Sequence, residues 1–334
     1  MAKLQPIRAK RPRIGLVGSD TLVGREIRDL CGEKSFPGEL KLIASADAET
    51  GVLTEIDGEP AVVVRLDAHS IGDVQAVFLA GSRESALQAI ALPGDTRLID
   101  VTYAGESEAR ARLRAPIVES RAPGRSRLHV IAHPAATALA LLLGRLNEQA
   151  HIARSVVQVF EPASERGKPG AEEIHQQTLN LLSFKPLPKT MFDAQAAFAM
   201  LARYGDDAPE TLAAVESRIV RHFEALNRGS VPTPSLRVVH APVFHGYSAS
   251  LWVEFERNPG VEELERVLAE DRIDVRGGLL EPPNNVGVAG QSGIAVGAIE
   301  TDRVNPNAAW IWMAADNVRL MADNAIAVVR ELIG

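Results

Sequence analysis

A histidine and a threonine lie four positions apart in the segment Ile131-Ala-His-Pro-Ala-Ala-Thr137. A threonine hydroxyl that passes its proton to a neighbouring histidine can act as a nucleophile in acyl transfer. Threonine is also a favoured residue at a helix N-terminus, and an apolar run, 138–146, follows directly. We expect Thr137 to cap that helix, and a catalytic pair of His133 and Thr137 is the alternative.

Three further polar side chains, His240, His245 and Tyr247, follow one another at strand spacing. We expect His240 and Tyr247 to face one pocket and His245 to make a loop contact. Two histidines can bind a metal ion, but no acidic residue stands at ligand spacing beside them. The sequence therefore predicts a polar pocket without a metal. The charged segment 164–168 has no evident partner, and we expect it to be a turn.

The chain has one cysteine, Cys31, which follows Ile27 and Leu30 on one apolar helical face. A buried thiol of this kind is an inert apolar side chain, because reactivity needs exposure and a lowered pKa. One cysteine also excludes an internal disulfide framework and a thiolate metal cluster.

The segment Gly18-Ser-Asp-Thr-Leu-Val-Gly24 follows a short apolar run and precedes an amphipathic stretch. Such loops bind dinucleotides because glycines let backbone N–H groups approach a pyrophosphate. The middle glycine position is Thr21, whose Cβ would crowd the phosphate. Asp47 stands where an acidic residue would hold the ribose 2′-hydroxyl of NAD. The alternative is a plain strand-to-helix connection with a solvated Asp47.

Apolar runs alternate with helical patterns in the first part of the chain, which indicates a doubly wound parallel sheet. The predicted strands are 13–18, 39–44, 76–80, 97–101 and 128–132, the predicted helices are 23–31 and 84–91, and 61–66 is predicted to be a hairpin strand. From about residue 152 the composition becomes that of an α+β domain with an open sheet. Its predicted strands are 155–160, 236–240, 250–255 and 309–313, its helices are 171–182, 210–226 and 316–332, and 184–207 is predicted to be a loop excursion.

The overall composition is that of a globular protein of two domains, since 334 residues exceed the usual size of one core. A net charge of -7 argues against nucleic acid as the main partner. No apolar run is long enough to span a bilayer, and the basic N-terminus lacks the apolar core of a secretory signal. We expect a cytoplasmic protein.

Several ordered segments resemble the aspartate-semialdehyde dehydrogenase family, and in particular its Usg-type members. Val304-Asn-Pro-Asn-Ala-Ala-Trp-Ile-Trp-Met-Ala-Ala-Asp-Asn-Val-Arg319 resembles the family's Pro-Asn-Gly-Leu-x-Leu-Trp…Asp-Asn-Leu-Arg signature. Ala241-Pro-Val-Phe-His-Gly-Tyr-Ser248 is similar to Val-Pro-Val-Phe-x-Gly-His-Ser, and Gly167-Lys-Pro-Gly-Ala-Glu-Glu-Ile-His-Gln-Gln-Thr178 to a glycine turn and Glu-Glu-Leu helix. Ile131-Ala-His-Pro-Ala-Ala-Thr137 resembles Ile-Ala-Asn-Pro-Asn-Cys-Ser.

The resemblance implies a Rossmann-type dinucleotide domain, 1–134, and an α+β dimerisation domain of the semialdehyde dehydrogenase type, 135–315. It implies a final helix, 316–334, that returns to the first domain. The family's reaction joins a thiolate to an aldehyde, passes hydride to NADP and releases the product with phosphate. Beyond the glycine loop with Leu22 and Val23, the cofactor residues implied are Ser45, Gly81 and Asn317.

The same resemblance places other residues where the family has its chemistry. The nucleophile position is Ala136, the histidine base is Tyr247, the arginine that grips the substrate carboxylate is His240, and the positioning glutamine is Glu161. A methyl group forms no covalent adduct, and a phenol with a pKa of about 10 is a poor base at neutral pH. Glu106 replaces a phosphate-binding arginine, and a lysine position is apolar around Ala214 and Val215, next to a retained Glu216.

These replacements predict a protein that has lost the thiol-dependent oxidation of aspartate semialdehyde. We expect a homodimer that serves as a binding or scaffolding protein, with a small molecule as a ligand of the former site. The alternative is a diverged NAD(P)-dependent oxidoreductase acting on a small aldehyde or oxo substrate in amino-acid biosynthesis. NAD is then expected over NADP, because Asp47 would repel a 2′-phosphate. A third hypothesis is a partner subunit for an active dehydrogenase.

Overall fold

The structure is a computed structural model that describes residues 11–33, 35–45, 51, 53–56, 59–119, 124, 126–278 and 280–333. Asp47 lies outside the described residues, so its predicted contact with a ribose stays a prediction. The chain divides into two compact units. Unit 1 comprises Met1–Arg112, Ala122–Val130 and Ala325–Gly334, and unit 2 comprises Leu113–Arg121 and Ile131–Asn324.

Unit 1 is built on a parallel sheet with the strand order β2-β1-β5-β6-β8-β7. The strands of this sheet are β1 (Arg13–Val17), β2 (Glu39–Ile43), β5 (Ala76–Leu79), β6 (Arg97–Asp100), β7 (Arg112–Arg114) and β8 (Leu128–Ile131), and a separate hairpin consists of β3 (Leu53–Ile56) and β4 (Glu59–Val62). The last two residues of β7 and the last residue of β8 are assigned to unit 2. The helices are α1 (Leu22–Gly32), α2 (Ala68–Gly72) and α3 (Arg83–Ala91). β5 is buried along its whole length, as expected for a parallel strand between two helical layers. The predicted doubly wound sheet is confirmed.

Two glycines of the loop after β1 are required by contacts within the chain itself. Gly18 has φ +81°, and a Cβ there would lie 2.2 Å from the Cα of Gly81. A Cβ on Gly24 would lie 1.9 Å from the carbonyl oxygen of Gly18. Both positions therefore need glycine to let β1, α1 and the loop after β5 meet closely, whether or not a nucleotide binds.

Unit 2 contains a mixed sheet with the order β10-β9-β11-β14-β13-β12. The strands are β9 (Ile152–Glu161), β10 (Ser235–His240), β11 (Tyr247–Phe255), β12 (Ile273–Arg276), β13 (Ile294–Thr301) and β14 (Ala308–Ala315). The helices are α4 (Pro134–Gln149), α5 (Gly167–Leu182), α6 (Leu212–Asn227), α7 (Val261–Leu268) and α8 (Asn317–Ile333), whose last residues belong to unit 1. This fold confirms the predicted open α+β sheet.

The core of unit 2 lies on one face of this sheet. Val157, Leu251 and Ile311 come from three adjacent strands, and each is at most 1% exposed. They belong to one apolar cluster with Leu139 and Ile219 of the helices α4 and α6. The other face carries the alternate residues of β9, β11 and β14, which are more exposed.

Three sequence predictions were wrong in detail. Helix α4 begins at Pro134 with His133 as its N-cap, so Thr137 lies inside the helix and does not cap it. The reason is that proline favours the first helical position. The hairpin strand predicted over 61–66 ends at Val62, because Val64 forms a bridge to Ile43 instead.

The segment 164–168 is also more than a turn. Residues Ala163–Arg166 form a 3-10 helix that runs into α5, and its charged side chains have partners. The predicted domain limits, 1–134, 135–315 and 316–334, stay predictions. The two compact units instead divide after Val130 and inside α8.

Candidate functional site

The first turn of α4 holds the position where the resemblance expects a nucleophile. Ala136 is 0% exposed and Thr137 is 1% exposed. The Thr137 hydroxyl forms no hydrogen bond within the described part of the chain, so His133 does not activate it. His133 instead accepts a hydrogen bond at Nδ1 from the Ala135 backbone, at 3.2 Å. A catalytic pair of His133 and Thr137 is therefore absent from this geometry.

His133 joins a buried group with Glu165 and Tyr247. Its Nε2 lies 3.0 Å from Oε1 of Glu165 and 3.5 Å from the Tyr247 hydroxyl. The backbone N–H of His133 donates to Nδ1 of His222 at 3.0 Å. Tyr247, the expected replacement of the base, is 1% exposed, and its ring packs against that of His133 with the centroids 5.8 Å apart.

Glu161, the expected replacement of the positioning glutamine, belongs to a buried chain of ion pairs. Arg166 donates from Nη2 to Oε1 of Glu161 at 2.6 Å, and its Nη1 pairs with Glu210. Arg218 donates to the other oxygen of Glu210 at 2.6 Å. The side chains of Glu161 and Arg166 are 0% and 5% exposed, so the pair is shielded from solvent.

Tyr204 connects Glu161 to His240. Its hydroxyl donates to Oε1 of Glu161 at 2.9 Å and lies 3.1 Å from Nδ1 of His240. Phe192 covers both rings, with centroids 5.2 Å from that of Tyr204 and 5.0 Å from that of His240. The adjacent strands β9 and β10 set this arrangement, because Glu161 and His240 are direct neighbours in their register.

Burial and neighbouring charges fix the ionisation of these groups. Burial lowers the pKa of His240 to about 4 and that of His222 to about 3, so both are neutral at pH 7. Burial raises the pKa of Glu161, an effect that Arg166 opposes. Burial also opposes ionisation of Glu165, but His133, Arg166 and Tyr247 outweigh it and bring the pKa of that carboxyl to about 2.

The excursion that contributes Phe192 and Tyr204 is held by two buried side chains of α5. Gln177 donates to the carbonyls of Pro188 and Ala194 and accepts from the N–H groups of Ala196 and Ala197. Glu173 accepts from the N–H groups of Met191 and Phe192. The helix that resembles the family's Glu-Glu-Leu motif thus positions the loop that closes over His240.

The other expected site residues have structural contacts. Glu216 accepts from the backbone N–H of Val238 at 3.1 Å, and Val215 is buried in α6. Glu106 lies in the turn after β6 in unit 1, where its N–H donates to Tyr103. His245 is exposed, and its carbonyl accepts from Asn285, which agrees with the expected loop contact.

The three carboxylates of the described site have partners within the protein. Arg166 pairs with Glu161 and Glu210, Arg218 pairs with Glu210, and His133 lies against Glu165. Among the residues that the structure describes, no group of three or more His, Cys, Asp and Glu has the geometry of a metal site. The arrangement can orient protons inside the protein, but it offers no thiol and no carboxylate clamp.

A cavity of about 450 Å³ lies beside the glycine loop of unit 1. Its lining residues are Gly18, Ser19, Asp20, Arg25, Arg28, Ile43, Ala44, Ser45, Thr54 and Val63. Of the predicted cofactor residues, Gly18 and Ser45 line it. Ser45 also accepts from the backbone N–H of Ser82 at 3.1 Å, so the hydroxyl helps to hold the loop after β5.

The remaining predicted cofactor residues have different roles. Thr21 is the N-cap of α1, and its Oγ1 accepts from Gly24 N–H at 3.0 Å and lies 2.8 Å from the Ala80 carbonyl. Leu22 and Val23 form the first turn of α1. Asn317 belongs to unit 2, where Oδ1 accepts from the Ser164 hydroxyl and from Gly246 N–H. Sequence reasoning missed Thr21 as a cap, although Thr before an amphipathic run is a recognised signal.

Sequence reasoning also missed the partners that complete the polar site. These are Glu165, Arg166, Tyr204, Glu173, Gln177 and His222. The charged run at 164–168 could have indicated that Glu165 and Arg166 belong to the site, because adjacent opposite charges at the end of a buried strand need partners. Tyr204 and His222 gave none, since they meet the site only through long-range contacts.

Among the helices that the structure describes, none has the length and apolar character of a membrane span.

Known proteins are similar to this chain in both sequence and fold. Residues 143–320 match the dimerisation domain of semialdehyde dehydrogenases. The chain is 30% identical to a USG-1 protein homolog of Azotobacter vinelandii, over 96% of this chain and 97% of that protein. It is 27% identical to the aspartate-semialdehyde dehydrogenase of Prochlorococcus marinus, over 96% and 95% of the two chains.

A solved structure of a probable aspartate-semialdehyde dehydrogenase from Pseudomonas aeruginosa has the same fold. It superposes with a TM-score of 0.84 at 27% identity and covers 97% of this chain and 99% of its own. The matched domain, the extent of both sequence similarities and the common architecture agree with the motifs quoted above. This chain belongs to the aspartate-semialdehyde dehydrogenase family.

Proposed function

We propose that this protein is a homodimer that does not carry out the thiol-dependent, NADP-linked oxidation of aspartate semialdehyde and acts by binding. The observation that carries the proposal is the environment of Ala136. The position is fully buried in the first turn of α4, and the chain's only cysteine, Cys31, is buried in α1 of unit 1. An alanine methyl cannot form the covalent intermediate that this reaction needs.

The charges around the former site support the same proposal. His240 is neutral at pH 7 because burial lowers its pKa to about 4, so it supplies no fixed charge for a substrate carboxylate. Arg166 is a buried cation nearby, but Glu161 and Glu210 already pair with it. A carboxylate or phosphate entering here would have to displace these carboxylates, which is costly in a buried environment.

An enzyme assay tests the proposal directly. Purified protein is incubated with aspartate semialdehyde, NADP and inorganic phosphate, and the reduced cofactor is followed by absorbance. The Prochlorococcus marinus relative serves as the positive control. We expect no turnover above the uncatalysed rate, and turnover at the rate of the control would overturn the proposal.

The variant Ala136→Cys distinguishes a missing thiol from a changed site. We expect it to remain inactive in the same assay, because Tyr247, His240 and Glu161 still lack the family's base, carboxylate clamp and positioning amide. Folding is checked by circular dichroism, since a thiol is larger than a methyl group in a packed core. Turnover by a folded Ala136→Cys variant would show that only the nucleophile had been lost.

The homodimer is supported by the matched dimerisation domain and by the exposed face of the unit 2 sheet. Val156, Trp252 and Trp310 lie side by side across β9, β11 and β14. Val156 is 50% exposed and Trp310 is 44% exposed. Aromatic and apolar side chains in a row on an open sheet are typical of a protein interface.

The second candidate function is that of a diverged NAD(P)-dependent oxidoreductase acting on a small aldehyde or oxo substrate. The cavity beside Gly18 and Ser45 favours it, since doubly wound sheets bind nucleotides outside the carboxyl ends of their strands. Calorimetry with NAD and NADP tests it, with NAD expected to bind more tightly through Asp47. No binding at millimolar concentration of either cofactor would remove this candidate.

A further inference from the structure

We propose that Tyr204 is an internal ligand that closes a buried site between Glu161 and His240, and that this site takes a phenol or a related neutral aromatic alcohol. The inference rests on the proposed loss of dehydrogenase activity, because the two positions predicted to hold aspartate semialdehyde are here occupied by a hydroxyl of the chain itself. It goes beyond that loss, since it states which chemistry the closed site recognises.

The first argument is the way in which the site holds the Tyr204 hydroxyl. The hydroxyl donates to Oε1 of Glu161 at 2.9 Å, so its oxygen is left to accept from an N–H at Nδ1 of His240, which lies 3.1 Å away. Glu161 and His240 are register neighbours on β9 and β10, and each is 0% exposed. The sheet therefore presents a buried acceptor beside a buried donor, and a single hydroxyl group satisfies both.

The second argument is the enclosure of the tyrosine ring. The centroid of the Tyr204 ring lies 5.2 Å from that of Phe192 and 5.6 Å from that of His240. The guanidinium carbon of Arg166 lies 5.7 Å from the same centroid. Two aromatic rings and a cation around the ring favour an aromatic ligand, because ring packing and cation–π contacts both need a π face.

The third argument is a hydrogen-bond acceptor that Tyr204 does not use. Oε2 of Glu161 is buried and has no hydrogen-bond partner within the part of the chain that the structure describes. A buried carboxylate oxygen without a donor is uncommon in a packed interior, because it loses its hydration without replacement. The site therefore accepts one more donor than the tyrosine side chain brings.

The fourth argument is the way in which the excursion, residues 184–207, delivers Tyr204. The excursion contains no helix and no strand, and Glu173 and Gln177 hold it through its backbone. Three non-glycine residues of the excursion have a positive φ, namely Phe184 (+55°), Asp193 (+45°) and Phe198 (+61°). Such residues rarely adopt this conformation, so individual contacts impose a strained path on the backbone. Loss of those contacts favours release of the excursion, and of Tyr204 with it.

Calorimetry with p-cresol, which is the tyrosine side chain as a free molecule, tests the inference on the full chain. The variant Tyr204→Ala removes the internal ligand and keeps Glu161 and His240. We expect it to bind p-cresol roughly 10-fold or more tightly than toluene, because a ligand without a hydroxyl leaves the buried polar pair unpaired. Benzoate is expected not to bind, since its carboxylate would meet that of Glu161.

A second substitution on the Tyr204→Ala background locates the hydroxyl contact. Glu161→Gln is expected to weaken p-cresol binding roughly 10-fold, because a neutral amide is a weaker acceptor than a carboxylate. Glu172→Gln makes the same change at an exposed position of α5 and is expected to leave binding unchanged.

The wild type and Gln177→Ala show whether the excursion closes the site. We expect the wild type to bind p-cresol roughly 100-fold more weakly than Tyr204→Ala, because the tethered phenol competes for the same place. Gln177→Ala loosens the excursion with Tyr204 retained. It is expected to bind p-cresol more tightly than the wild type, because the site is open in a larger fraction of the molecules. Gln176→Ala is the control and is expected to bind like the wild type.

Each of three results would overturn the inference. They are no p-cresol binding by folded Tyr204→Ala at millimolar concentration, equal binding of p-cresol and toluene by that variant, and binding by the wild type as tight as by the variant. If circular dichroism shows that Tyr204→Ala does not fold, Gln177→Ala decides, and p-cresol binding no tighter than that of the wild type overturns the inference. Turnover of aspartate semialdehyde by the wild type would overturn the proposed loss of activity as well, whereas the binding results leave the dehydrogenase assay unchanged.

Discussion

At the scale of single residues, two of the buried histidines, His222 and His240, make folding sensitive to acid. The ordinary histidine pKa is 6.5, and in the folded protein it is lowered to about 3 for His222 and about 4 for His240. Below the ordinary value the unfolded chain binds protons that the folded chain does not. The stability from these groups is therefore fully present above pH 6.5 and is lost as the pH falls toward 4.

When the pH is lowered from 7 to 5, we expect each of these histidines to lower the unfolding free energy by about 2 kcal/mol. Glu161 acts in the opposite direction, because burial raises its pKa and the folded state then takes up a proton more readily. The measurement is urea unfolding of the wild type and of His222→Asn at both pH values. An asparagine can still accept from the His133 N–H, and it does not titrate.

The expected result is that His222→Asn loses about half of the wild-type pH effect. His245→Asn is the matched control, since His245 is exposed in the loop before β11. An equal pH effect in the wild type and His222→Asn would show that His222 does not carry the acid sensitivity.

The sequence named the candidate site positions, whose roles stay predictions, but it did not indicate most of the residues that contact them. Motif resemblance named Ala136, His240 and Tyr247 because each stands inside or next to a quoted signature segment. The contacts that define their environment join residues far apart in the chain, 43 positions for Glu161 with Tyr204 and 114 for His133 with Tyr247. Only the packed sheet brings such pairs together, so no local pattern indicates them.

At the scale of elements, α5 organises the excursion over His240 through Gln177. This side chain is 0% exposed and makes four hydrogen bonds to the backbone of the excursion. We expect Gln177→Ala to lower the unfolding free energy by about 3 kcal/mol or more, because it leaves buried backbone groups unpaired. Limited proteolysis should then cut within 186–205.

Gln176→Ala is the control for this element. Gln176 is the neighbouring residue of α5, is exposed, and donates from its side-chain amide to that of Asn180 at 2.8 Å. We expect a change of less than about 0.5 kcal/mol and no new cleavage. Equal resistance to proteolysis in both variants would mean that Gln177 does not hold the excursion.

The contact between α1 and β1 gives a second prediction at this scale. Gly24→Ala would place a methyl group 1.9 Å from the Gly18 carbonyl oxygen, and backbone must then move. We expect a loss of about 2 kcal/mol or more of unfolding free energy, measured with urea. Gly72→Ala is the control, since an added Cβ at Gly72 meets nothing within 4 Å; equal stability of the two variants would contradict the close contact.

Hydrophobic periodicity predicted the type of most elements but placed their ends imperfectly. The predicted strand 250–255 is observed as Tyr247–Phe255, because β11 pairs with β9 and β14 along its whole length. The predicted helix 138–146 is observed as Pro134–Gln149, since capping by His133 moves its start. The ends of helices and strands depend on capping side chains and on strand pairing. These are individual contacts, and hydrophobic periodicity does not indicate them.

At the scale of the whole molecule, the fold follows from the alternation of apolar segments, but the assembly depends on what covers the unit 2 sheet. One face of that sheet packs on α4 and α6, and its residues form the core. The other face presents Val156, Trp252 and Trp310 across adjacent strands, with Phe160 and Trp312 in ring contact at 5.8 Å. The sequence predicted an open sheet here, but it did not show that this second face is rich in aromatic residues.

We expect Val156→Glu to convert the proposed dimer to a monomer, because it places a charge in this apolar row, where burial against a second copy is unfavourable. The mass is measured by size-exclusion chromatography with light scattering. Val286→Glu is the control, since Val286 is 76% exposed in the loop before β13 and lies on no strand of the sheet. Circular dichroism confirms that both variants remain folded, as Val156 is half exposed and adds little to the core of its own protomer. A folded Val156→Glu variant that stays dimeric would show that the interface does not include this row of side chains across β9, β11 and β14.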